Sequence, residues 1–135
     1  MKKIVPVLFL KDKKMFSDKE CLVPVADDIL PVEICLRLEA AGADEFLIMD
    51  LSYDDASHDE AIGIIRQITK ALDTPVIAGG NVKRVEDVKK YLYAGAKAAL
   101  LDESRESNMI MMKEVCDRFG TVSYTHLRAH ETSLH

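Results

Sequence analysis

Apolar runs rich in β-branched residues alternate along this chain with segments of helical period, the pattern of βα units around a parallel sheet. Four units are expected. Lys3 to Leu10 is a near-continuous apolar run, as in a strand buried on both faces, and a polar stretch follows from Lys11 to Asp28. The first helix opens at Pro31, carries Ile34, Cys35, Leu38 and Ala41 on one face, and closes at Gly42. Glu45 to Asp50 reads as the second strand. The loop Leu51 to Ser57 then ends with Ser57 placed to cap a helix over His58 to Leu72, whose core face is Ile62, Ile65, Ile68 and Leu72. TPVIAGG is the third strand, with Pro75 at its start and Gly79 and Gly80 where it turns. A helix from Val85 to Ala94 closes at Gly95, AKAALLD is the fourth strand, and Glu106 to Phe119 is the fourth helix. Its stripe of Met109, Met112, Val115, Cys116 and Phe119 reads as core.

The halves repeat. Glu33 precedes the glycine of AGAD by nine residues and Glu86 precedes that of AGAK by nine, the copies being offset by 53. Each copy runs on through an apolar strand to an aspartate, Asp50 or Asp102. Two βα units made twice give four units, half of a (β/α)8 barrel, which takes about 250 residues when whole. The fold class expected is therefore α/β, an incomplete TIM barrel of four parallel βα units.

Composition narrows the chemistry. The 135 residues are 48% hydrophobic and 30% charged, which suits one globular domain, and a net charge of −5 with no basic patch argues against nucleic acid and anionic membranes as partners. No apolar run reaches the roughly 18 residues of a membrane span, and MKKIVPVLFL runs into KDKK without a cleavage site. Cys21, Cys35 and Cys116 are odd in number and widely spaced, which suggests buried or idle thiols in a reducing cytoplasm rather than disulfides or zinc. His58 lies at a helix start beside Asp59 and Glu60 and reads as a surface residue.

IVPVLFLKD, PVEICLRLEAAGADEFLIMDL and TPVIAGGNVKRVEDVKKYLYAGAKAAL together resemble the N-terminal half of the histidine-biosynthesis barrels: the cyclase subunit of imidazole glycerol phosphate synthase and the phosphoribosylformimino ribonucleotide isomerase. The match covers Lys2 to about Gly120. It implies a mouth at the carboxyl ends of the strands, a phosphorylated sugar-type ligand, no metal and no cofactor. The family's first strand ends in an acid/base aspartate, and the matching residue here is Phe9, which cannot transfer a proton. Asp12 matches the aspartate that begins the next loop.

Asp50 matches the family's second-strand aspartate, and two readings stand, a catalytic or substrate-positioning residue in the mouth and a cap for the following loop. Gly79, Gly80 and Asn81 match a triple-glycine run that helps to bind a substrate phosphate, joined by Asp102 on the fourth strand. A carboxylate at position 102 would repel a dianion, and Asn81 crowds its approach. The resemblance thus points to a barrel segment without catalysis, such as the N-terminal part of a longer histidine-pathway enzyme. An active isomerase or cyclase with a relocated acid/base is the alternative, and a half-barrel that pairs with a second copy or with a C-terminal half is another.

The last fifteen residues fit none of this. Val122 to Thr132 resemble a reading frame of a transposase adapter used in shotgun sequencing, so 1–120 is expected to be barrel and 121–135 a non-native, disordered tail. A zinc site from His126, His130 and His135 is the weaker reading, because the tail has no apolar face to hold a helix.

Overall fold

The computed structural model describes residues 3–18, 20, 24–26, 28–80, 85–102 and 124–127, with 85, 101, 102 and 124–127 as backbone alone. The expected fourth helix with its methionine stripe, Asn81, the side chain of Asp102, Cys21, Cys116 and the tail histidines' side chains lie outside the described residues.

Strand β1 is Val7–Lys11. It starts four residues later than the apolar run because Pro6 has no N–H to give a ladder, although its carbonyl still accepts from Leu47 N at 3.0 Å. The expected polar stretch contains a strand. β2, Lys14–Phe16, folds back antiparallel to β1 through Asp12 and Lys13, whose φ of 50° and 67° are those of a two-residue hairpin turn. Met15 is thereby buried.

Helix α1, Pro31–Ala40, begins at its proline and ends at Ala41 and Gly42, as the sequence suggests. β3 is Phe46–Asp50 and α2 is Asp55–Ala71. The start of α2 corrects the expected cap. Asp54 is the N-cap and Ser57 the third helical residue, because Asp54 Oδ1 accepts from Ser57 N at 2.7 Å while Ser57 Oγ accepts from Asp54 N at 3.1 Å, a reciprocal capping box. β4, Val76–Gly80, α3, Val85–Tyr93, and β5, Ala98–Asp102, follow within a residue or two of expectation. β6, Tyr124–Leu127, pairs parallel to β5 with Leu100 opposite Thr125. The sheet therefore crosses the boundary drawn at 120, since an open strand edge offers its main-chain groups whatever the side chains are.

The order is β2-β1-β3-β4-β5-β6, parallel throughout except for β1 with β2. This α/β sheet winds one way, each parallel strand being laid beside the last, so right-handed crossovers put α1, α2 and α3 on one face. Leu8, Leu10, Phe46, Ile48, Val76, Ala78 and Ala99 point to that face and pack with Ile34, Cys35, Ile62, Ile65, Ile68, Val88 and Tyr91. By the period of two, Val7, Phe9, Leu47, Met49, Ile77 and Leu100 form a second apolar face, on which Val7, Phe9, Met49 and Ile77 are only half-buried.

Helices α2 and α3 meet at their carboxyl ends. Thr69 Oγ1 donates to Ala94 O at 2.5 Å, and Gly95, at φ +107°, leaves room where a Cβ would lie 2.5 Å from that hydroxyl. No helix among the described residues is long and apolar enough to cross a membrane.

Candidate functional site

Polar side chains gather where β3 gives way to α2. Asp50 ends β3 in register with Leu10 on β1 and Gly80 on β4. It lies on the same face of the strand as Phe46 and Ile48, so its carboxylate turns to the helix layer and is fully buried. Both oxygens are engaged. Oδ1 accepts from Ser52 N at 2.9 Å, the short-range turn by which an aspartate caps the loop after its own strand. Oδ2 accepts from Tyr91 Oη at 2.9 Å and lies 2.7 Å from His58 Nδ1. An ionised carboxylate only accepts, so Nδ1 carries a proton.

His58 corrects the surface reading: it is 3% exposed. Because α2 starts at Asp55, His58 is a full turn inside and shares the buried stripe with Ile62 and Ile65, at spacings of four and seven. That stripe was in the sequence, and the misplaced cap hid it. On α3, Asp87 and Tyr91 stand four apart on the buried face; Asp87 is 3% exposed and its Oδ1 lies 3.5 Å from His58 Nε2. The His58 ring meets Tyr91 edge to face at 5.7 Å. Sequence reasoning missed this part of the site, although the buried-face spacing of Asp87 and Tyr91 on a predicted helix was a signal for it.

Beside this cluster a small cleft opens between the β1–β2 turn and the start of α2, lined by Lys11, Asp12, Lys13, Asp50, Ser52 and Glu60 among others. Nearby, Tyr53 Oη donates to Asp12 Oδ1 at 3.1 Å, and that hydrogen bond and the Asp12 charge push the phenol's pKa above its usual value. Lys13 Nζ faces Glu60 at 3.6 Å. Burial pushes the Cys35 thiol up to about 12, which makes it an idle core residue, as the sequence suggests.

The two glycines of β4 have steric duties. A Cβ at Gly79 would lie 2.7 Å from Leu100 Cβ, and one at Gly80, whose φ is +110°, would collide with the carbonyl oxygen of Asp50. Phe9, at the first-strand acid/base position, lies opposite Met49 on the second face. No group of three or more histidine, cysteine or acidic side chains able to hold a metal occurs among the described residues.

The fold and this cluster define an α/β protein with its polar residues at the carboxyl ends of a parallel sheet. The chain belongs to the histidine biosynthesis protein family, whose model matches residues 3–126. It is similar to the imidazole glycerol phosphate synthase subunit HisF of Staphylococcus saprophyticus, 29% identical over 119 residues that make up 88% of this chain and 47% of that protein. The same subunit of Staphylococcus epidermidis matches with equal identity and coverage. The chain thus spans about half the length of the curated relatives it matches.

Proposed function

We propose that the chain forms half of a histidine-biosynthesis (β/α)8 barrel, similar to the cyclase subunit of imidazole glycerol phosphate synthase, and that it performs no proton transfer by itself. One-way parallel winding supports the half-barrel reading, because a sheet with all its helices on one face curls until its other face is enclosed. The observation that carries the loss of catalysis is the fate of the two carboxylate positions. The first is the phenyl ring of Phe9, and the second, Asp50, faces the helices with both oxygens bonded. General acid/base work needs a carboxyl group within reach of a substrate proton, and neither position offers one. A phosphorylated sugar-type ligand, if held, would lie at Gly79, Gly80, Asn81 and Asp102, and the chain would act as a segment of a longer enzyme or together with a second half. The test is formation of imidazole glycerol phosphate by the whole chain and by its Asp50→Asn variant. We expect no turnover from either. Turnover that disappears in the variant would establish instead an enzyme whose acid/base role has moved to Asp50.

A further inference from the structure

His58 is held between two acids. Its Nδ1 lies 2.7 Å from Asp50 Oδ2 and its Nε2 lies 3.5 Å from Asp87 Oδ1, and Nε2 is buried without a hydrogen bond. If Nε2 were bare, its lone pair would face a carboxylate oxygen away from water, two acceptors with no proton between them. A proton on Nε2 turns the same approach into a charge-assisted contact. Asp87 is the third residue of α3, where the amino-terminal end of the helix favours a negative carboxylate over a protonated one. Geometry therefore assigns the extra proton to the ring rather than to Asp87.

We infer that His58 stands as an imidazolium bridging Asp50 and Asp87, a proton-dependent brace that ties the end of β3 and the start of α2 to the first turn of α3. The titratable groups facing the ring are Asp50 from β3 and Asp87 and Tyr91 from α3, with the Ser52 hydroxyl 3.5 Å from Nδ1. Lys90 with Asp59 at 3.3 Å also joins the two helices, but that pair is far more exposed and contributes little. Two carboxylates against one imidazolium leave one negative charge, which the Ser52 N–H, the Tyr91 hydroxyl and the end of α3 offset. Without the second proton, the buried contact of His58 with Asp87 is lost from the α2–α3 junction.

The experiment is a long-range proton–nitrogen correlation spectrum of the whole chain labelled with 15N-histidine, near neutral pH, with His58 assigned through its contact to Tyr91. Both ring nitrogens of His58 are expected at proton-bearing positions. In Asp87→Asn the Nε2 resonance is expected to move to the bare-nitrogen position, because the new amide donates to it. One bare ring nitrogen in the unmodified chain would overturn the brace, as would an Asp87→Asn variant that folds and keeps both protons. The spectrum of the unmodified chain decides alone if the variant does not fold.

Discussion

His58 illustrates how much one side chain's surroundings matter. Truncating it to alanine leaves Asp50 and Asp87 buried without the ring between them, and removing one member of a buried charged cluster costs about 3 to 5 kcal/mol. His58→Ala is therefore expected to lower the urea midpoint by that equivalent, whereas a change within a few tenths of a kcal/mol would mean that the cluster contributes nothing net. Asp50 was legible from its place in the GADEFLIMD run, and the loop-capping half of its two readings corresponds to the Ser52 bond. The rest of the cluster was less legible: Tyr91, which donates to Asp50, and Asp87, which faces His58, lie 41 and 37 residues beyond Asp50, and the placement of α3 beside α2 brings them there.

Among the elements, strands and helices were read to within a few residues wherever apolar period and a capping residue agreed. The exceptions have physical causes. β2 is three residues long and carries one buried side chain, Met15, too short a signal for period two to register. The start of α2 was placed three residues late because DDASHDE offers several capping residues in a row, and the reciprocal bonds of Asp54 and Ser57 select among them only in three dimensions. Those bonds, the Ser57 hydroxyl first and its backbone N–H second, hold the Asp54 carboxyl below the usual carboxylate range. A carboxyl so lowered in the folded chain stabilises it fully at neutral pH, and the contribution fades as the pH falls below the ordinary aspartate range of about 4. Asp54→Ala is expected to destabilise the chain at neutral pH and to make its loss of stability on acidification shallower. Urea unfolding at a series of pH values measures both, and parallel curves for the two proteins would argue against the cap.

Across the described residues, the sheet carries its helices on one face and a second, apolar face with Val7, Phe9, Met49 and Ile77 half-buried. Such a face and an open strand edge favour association, and light scattering after gel filtration is expected to give a mass above the 15.1 kDa of one chain. A well-folded monomer would argue against self-pairing of the proposed half-barrel. The winding was legible because a repeat of 53 residues and the alternation of strands with helices leave few alternatives, whereas β6 was not, since its polar sequence carries no strand signal and its pairing is main chain to main chain. The bond from Thr69 to Ala94 has a mechanical meaning in this setting. It rivets α2 to α3 at one end while the His58 cluster fastens them at the other, so sliding one helix along the other would have to break both ties at once.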